Sequence, residues 1–487
     1  MEDFKHYLKL TSEYGVVSEV KDSLLVVEGL LTARLNESVI FENGERGQVI
    51  ALTNEGCQAV VFEKTIPTVG EKVVRTGRNL AMKISDNIIG SMIDPFGQQI
   101  FTTGKYSRKS EEVELFVETH SRIWEREKIT KPLETGVGLV DMLLPLGEGQ
   151  KELVVGDRKT GKTSFLLTTV KNQIEKGKVV IFASIGKKKT DIKKLLQYFL
   201  NERTLEKMVF VTSAADDPVS MIYLTPFAAM TVAEHFKAQG RDSLVVMDDL
   251  STHAKIYREI SLTSERFPGR ESYPGDIFYI HASLLERTGN FVIKNEKLKI
   301  KKSVSITCLP VAESTEGDLT GYITTNLMGI TDGHIFFDRT IFTKGVRPAI
   351  NVMLSVTRVG RQTQNPLLQD INHQVTAFLS EYESLKNLSH FGAELSDTVK
   401  TKIIKGERLE AVFEQNFGTI LPVSVQIILF VVAFSEEFFK VDIRDFKNKM
   451  IYQAASGKNQ GVINEIVSVN NFSGLVKKLK SNLNKVC

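Results

Sequence analysis

The sequence predicts a three-part chain: a small all-β barrel near the N-terminus, a central α/β domain on a mostly parallel sheet, and a C-terminal α-helical bundle. Three observations carry this. From Gly15 to about Lys83, short runs of β-forming residues are cut by turn residues. From about Ile84 to Gln364, apolar runs alternate with helical stretches, as a parallel sheet covered on both faces requires. Beyond Gln364 the apolar period becomes that of a helix. The expected boundaries are 10–83, 84–364 and 365–487.

In the first segment Leu24–Val27, Gln48–Leu52 and Gln58–Phe62 are mostly apolar and rich in β formers, and Asn43-Gly44 and Asn54-Glu55-Gly56 separate them. In the second, Leu153–Val155, Val179–Phe182, Met208–Val211 and Leu244–Met247 are the strand cores. In the third, Ile371, Val375, Phe378, Tyr382 and Leu385 recur at helical spacing. The most apolar stretch, Ile420–Phe434, is shorter than the ~20 residues of a membrane span and carries Pro422 and Gln426, so it is expected as a buried helix. The Lys-rich end, with Lys477, Lys478, Lys480 and Lys485, is expected as the solvated face of a last amphipathic helix.

Composition excludes several classes. The chain has 487 residues, 42% of them hydrophobic, which is globular, and its net charge of +3 gives no overall footprint for nucleic acid. Cys57, Cys308 and Cys487 stand far apart and in no metal-ligand spacing, which argues against a disulfide framework or a zinc site and for a reducing compartment. No signal peptide opens the chain, so a cytoplasmic location is expected.

Gly156-Asp157-Arg158-Lys159-Thr160-Gly161-Lys162-Thr163 is a complete G-x-x-x-x-G-K-T, set between the strand ending at Val155 and a helix beginning near Thr163 and Ser164. Its backbone N–H groups would curl round phosphate oxygens, with glycines where a Cβ would block the approach and a helix N-terminus favouring the anion. Lys162 would place a point charge on the β/γ-phosphates, and the Thr163 hydroxyl would ligate Mg²⁺. The partner carboxylate should end a buried strand, and Leu244–Asp249 offers Asp248 first and Asp249 second.

At this point the sequence resembles the alpha subunits of F-type rotary ATP synthases. The segment Glu134-Thr135-Gly136, Asp141, Pro145, Gly147 and Gly149-Gln150 leads into the phosphate loop as it does there. Asp248–Ser251, Pro268–Asp276, Leu284–Arg287, Thr331–Gly333, Gly345–Val352 and Ser355–Gly360 complete the likeness. The resemblance implies a β-barrel crown, a RecA-like nucleotide domain and shaft-facing helices. It also implies an alternating ring with three catalytic beta-type subunits around a gamma-type shaft, with a stator or membrane-bound sector, at the inner face of the cell membrane. ATP or ADP with Mg²⁺ is the implied ligand and no nucleic acid is expected.

By the same resemblance this chain holds nucleotide without turning it over. Hydrolysis needs a carboxylate or Gln to position the attacking water, and the matching position here is Lys187, which cannot act as a base while protonated. Alpha subunits place Gln there and at the position of Lys159, so the site is more cationic than its relatives. Arg358 matches an arginine finger acting on the neighbour's site, a contribution of about 10³ or more in rate. Phe342, Arg347 and Gln415 match positions bordering the nucleotide, while Phe417 replaces a second glutamine. Only 13 residues precede Tyr14-Gly15, so the family's helical N-terminal extension is expected to be absent; with the divergence after Gly360, the sequence resembles a divergent or specialised paralogue. Two rivals stand beside this reading: an RNA-dependent ring motor of the termination-helicase type, and a subunit that hydrolyses ATP itself with Asp191 or Glu175 as the carboxylate.

Overall fold

A computed structural model describes residues 2–62, 65–104, 109–116, 123–295, 300–389, 396–469 and 471–486. They form two compact units. One comprises Met1–Glu127, Lys178–Ala312 and Thr320–Ile330; the other comprises Lys128–Gly177, Glu313–Leu319 and Thr331–Cys487. Of the three cysteines Cys57 and Cys308 are buried and free, and Cys487 lies outside the described residues.

The first unit opens with α1 (Glu2–Thr11), then six strands: β1 (Gly15–Lys21), β2 (Leu24–Glu28), β3 (Glu37–Phe41), β4 (Arg46–Leu52), β5 (Gly56–Val61) and β6 (Lys72–Asn79). They close as a barrel in the order β1-β2-β5-β4-β3-β6. Antiparallel pairing of Gly15 with Val73 and Val16 with Lys72 closes it, which leaves no free edge. Val17, Leu25, Val27, Val39, Phe41, Val49, Ala59 and Val73 fill the interior. The strand segments expected from sequence therefore lie in β2, β4 and β5. Helix α1 buries Phe4 against Ile40 and Val74.

The same unit carries a parallel run of strands in the order Ile300–Glu313, Ser243–Asp248, Val179–Lys187, Met208–Ala214 and Ser91–Ile93. Ser243–Asp248 and Met208–Ala214 are buried throughout, and Val179–Lys187 over its first seven residues. Unbroken Val, Ile, Leu and Phe runs, in place of alternation, follow from burial of both faces. Parallel pairing sends the strand ends Lys187 and Asp248 to the same edge of the sheet, where such folds bind ligands.

In the second unit Leu153–Gly156 pairs parallel with Gly333–Phe337, which pairs antiparallel with Val356–Thr357. Among the described residues six α-helices follow: Pro366–Ser389, Asp397–Phe413, Val423–Phe434, Ile443–Ser456, Gln460–Val467 and Phe472–Val486. Every residue from Val425 to Ala433 is buried, so the apolar stretch is the bundle's central helix, with Pro422 at its N-cap. Among the described residues no helix is long and apolar enough to cross a membrane. Phe472–Val486 buries Leu475, Val476 and Leu479, and Lys480 pairs with Glu437 at 2.8 Å.

Two buried arrangements have measurable consequences. His253 Nδ1 lies 3.1 Å from His281 Nε2, and His253 Nε2 lies 3.1 Å from the Tyr223 carbonyl oxygen. That carbonyl only accepts, so His253 carries its proton on Nε2 and His281 donates from its own Nε2; both rings are neutral. Burial holds His253 down to about 4 and His281 well below the usual histidine value. The unfolded chain therefore takes up protons below about 6.5 that the folded chain refuses, and stability present above that pH is lost as pH falls toward 4. Thermal unfolding should show a steep acid limb. His281→Gln should flatten it by about 1–3 kcal/mol relative to its own stability at neutral pH.

Gly406, inside Asp397–Phe413, faces the ring of buried Tyr382, and a Cβ there would collide with it. Gly406→Ala should gain up to about 1 kcal/mol of helix propensity and lose about 1–3 kcal/mol to overpacking. A lowered thermal midpoint checks which effect wins, and the ring contact predicts net destabilisation.

Candidate functional site

The phosphate loop is built as its sequence demands. A Cβ on Gly156 would collide with the Phe337 carbonyl oxygen, and Gly161 caps the helix Lys162–Glu175 at φ 100°, in the left-handed region where glycine is at ease. The Lys162 Nζ donates to the carbonyl oxygens of Gly156 and Asp157, both at 2.6 Å, which holds the ammonium inside the loop. Thr160 Oγ1 donates to the Asp157 carbonyl oxygen at 2.7 Å. Arg158, Lys159, Thr163 and Ser164 are exposed, Lys159 with φ 62°.

A segment distant in sequence fastens this loop. Asp157 Oδ1 accepts from Ser314 Oγ at 2.5 Å and from the Gly317 N–H at 2.9 Å, while Arg158 Nε donates to both Glu313 carboxylate oxygens at 2.9–3.0 Å. Sequence reasoning passed over Glu313–Gly317, because no motif spacing links it to the loop.

The residues expected to border the base also gather in this unit. The Arg347 guanidinium sits 3.5 Å from the Phe342 ring centroid and donates to the Phe342 carbonyl oxygen at 2.8 Å. The Gln415 N–H donates to the Arg347 carbonyl oxygen at 2.8 Å. Its side-chain amide donates to the carbonyls of Gly136 and Thr419, and its carbonyl oxygen accepts from the Gly138 N–H at 3.0 Å. Gln415 therefore braces the approach to the phosphate loop. Beside it Asp141 accepts from Thr135 N–H and Oγ1, Gly136 N–H and Gln426 Nε2. Burial raises the Asp141 carboxyl to about 6 against the pull of those donors.

Arg358 is exposed, and its N–H donates to the Asp332 carbonyl oxygen at 3.0 Å. Leu153 pairs with His334, Gly156 with Phe337, and Thr357 with Gly333. The loop therefore leaves one end of these strands and Arg358 sits at the other, roughly 15 Å away at 3.3 Å per residue. Glu152 is buried at that end and holds Gln150 Nε2 at 2.6 Å; burial raises its carboxyl well above the usual range, with Arg358 pulling the other way.

In the other unit, Lys187 Nζ lies 2.9 Å from Asp248 Oδ1 and 2.7 Å from Asp249 Oδ2. Burial pulls the ammonium's pKa down, but the two carboxylates more than offset it and the net shift is upward. Asp249 is buried, and the ammonium holds its carboxyl below the ordinary value. Its Oδ1 also accepts the Thr252 N–H at 2.6 Å, capping the helix Leu250–Thr263. Asp248, the carboxylate expected on the magnesium side, therefore shares the Lys187 ammonium with Asp249.

The alternative carboxylates lie on helices of the two different units. Glu175 ends the helix Lys162–Glu175, roughly 18 Å along it from the loop, and Asp191 is exposed 3.6 Å from Lys194.

Residues 136–357 match the nucleotide-binding domain of the ATP synthase alpha/beta family, and residues 364–486 match the C-terminal domain of the ATP synthase alpha/beta chain. An ATP synthase subunit alpha from Carsonella ruddii is 33% identical over 90% of this chain and 92% of its own length. One from Dictyoglomus turgidum is 37% identical over 87% and 82%, and one from Staphylococcus aureus 33% over 96% and 92%. With barrel, nucleotide fold and helical bundle in the same order, the chain belongs to the ATP synthase alpha/beta family, on the side of its alpha subunits.

Proposed function

We propose that this chain is the non-catalytic, nucleotide-binding alpha-type subunit of a rotary ATPase ring, and that Arg358 serves the neighbouring catalytic site. In that ring it alternates with three beta-type subunits around a gamma-type shaft, so the subunit takes part in ATP hydrolysis or synthesis only within the complex. The observation that carries this reading is the separation of its two charges: the phosphate loop and Arg358 leave opposite ends of the same paired strands. That span exceeds the length of an arginine side chain, so Arg358 does not reach the phosphates of its own loop and suits a phosphoryl group held by a neighbour. There a guanidinium stabilises the charge that spreads over the transferring phosphoryl oxygens.

The loop residues Gly156–Ser164 receive the phosphates of ATP or ADP, with Lys162 as the charge and Thr163 as the hydroxyl offered to a nucleotide-bound Mg²⁺. When bound, that ion neutralises phosphate charge. Phe342, Arg347 and Gln415 shape the base end. By the resemblance Lys187 matches the position of a catalyst's water-orienting group, and as a lysine held by Asp248 and Asp249 it offers no general base, which supports binding without turnover.

Arg358→Ala should lower turnover of the assembled complex by about 10³-fold or more while nucleotide still binds this chain; unchanged turnover in a steady-state ATPase assay refutes the finger. Lys162→Ala should empty this chain's own site, measured by bound nucleotide after gel filtration, with a milder loss of turnover. Equal collapse in both variants would mean that this subunit is itself catalytic. Stimulation of the ATPase by RNA would favour the helicase-type ring instead.

A further inference from the structure

We propose that Glu152 is the positioning residue of Arg358: its buried carboxylate is the resting partner of the guanidinium, which leaves to serve a neighbour when Glu152 takes up a proton. The inference rests on the reading of Arg358 as a finger. Glu152 immediately precedes the strand Leu153–Gly156 and is 1% exposed. Gln150, fully buried, aims it: Gln150 Oε1 accepts the Gly147 N–H at 2.8 Å, which turns the amide nitrogen onto Glu152 Oε2 at 2.6 Å. The carboxylate lies against Gly333, where a Cβ would stand 2.8 Å from both of its oxygens. Gly333 pairs with Thr357, so Arg358 begins one residue from the backbone on which the carboxylate rests.

Glu152 Oε1 is enclosed, and among the described residues none donates a hydrogen bond to it. Arg358 is the cation whose charge bears on this carboxyl, while Asp332, next to Gly333, repels its ionised form. His334 on the same strand donates from Nε2 to the Leu354 carbonyl oxygen, and burial holds it below the usual histidine value, so it brings no charge at neutral pH. A carboxylate enclosed in this way, with one neutral donor, stays ionised only with a cation beside it and otherwise binds a proton. Guanidinium and proton therefore compete for the same group. Arg358 is itself exposed, so it can turn outward. When it is drawn to a neighbour's phosphoryl group, Glu152 takes a proton from solvent; when it returns, Glu152 gives that proton back. Burial raises the carboxyl well above the usual range, which moves this exchange up from acid pH. The finger is released at the lower pH and retained at the higher.

The test is the pH profile of steady-state ATP turnover by the assembled complex. Wild-type kcat should fall between about pH 6 and about pH 9 as ionised Glu152 retains the finger, at unchanged KM because the finger acts on the transition state. Glu152→Gln, a neutral isostere, should lack that fall, matching the wild type within about twofold at about pH 6 and exceeding it about threefold or more at about pH 9. A variant profile parallel to the wild type's, whether lower or coincident, overturns the proposal, and so does a wild type with no alkaline fall. A second measurement uses the full chain alone at about pH 9: Arg358→Ala should lower the thermal midpoint by about 2 °C or more, and adding Glu152→Gln should restore most of it. Additive effects of the two substitutions overturn the pairing. Unchanged turnover in Arg358→Ala would instead refute the finger reading, while the thermal cycle would still report on the Glu152–Arg358 pair.

Discussion

The parallel pairing of Leu153–Gly156 with Gly333–Phe337 is the constraint from which the layout of the second unit follows. It aims the phosphate loop out of one end of the strands. The antiparallel return of Val356–Thr357 then delivers Arg358 to the other end, with the Arg358 N–H pinned to Asp332. A one-residue slip in either pairing would turn each strand's side chains to the wrong face, so buried Val154, Val155, Ile335 and Phe336 lock the register that separates the two charges. On the proposed reading, separation by strand length would let one subunit bind nucleotide with one end and serve a partner with the other.

Buried polar groups do the fastening around these strands. Asp141 gathers four donors from Thr135, Gly136 and Gln426, and Gln415 satisfies Gly136, Gly138 and Thr419, so helical-bundle residues brace the segment that enters the phosphate loop. Deeper in the bundle, Arg408 donates to the carbonyls of Val432, Phe438, Phe439 and Val441. Lys447 donates to the carbonyls of Ala411 and Glu414 at the C-terminal end of Asp397–Phe413, the end of a helix that favours a cation. Burial lowers that lysine to about 8, the cost of placing a charge where only carbonyls receive it.

The two lysines that sequence and resemblance assign to the phosphates meet different neighbours in their separate units. Lys162 lies within the loop's own carbonyls, whereas Lys187 is committed to Asp248 and Asp249. Both were expected to face phosphate, and only the second finds carboxylates instead. The difference is one of neighbours. Lys162 follows a loop lined by main chain, but Lys187 ends a strand whose parallel partner terminates in two acids.

Much of the fold was legible because it rests on short-range signals. Apolar runs cut by turn residues marked strands in β2, β4 and β5, burial on both faces produced the unbroken runs at Val179 and Met208, and the fifteen-residue stretch at Ile420–Phe434 was too short and too interrupted for a membrane and became the bundle's inner helix. The phosphate loop was legible for the same reason, since glycine, lysine and hydroxyl act within one turn of backbone. What the sequence alone could not determine lay across long separations: the Glu313–Gly317 clamp on Asp157 and Arg158, the commitment of Gln415 to Gly136 and Gly138, and the Lys187 bridge. Residue types and spacing state which charges a protein carries, but which opposite charge each one meets depends on strand order and register, and those belong to the tertiary structure.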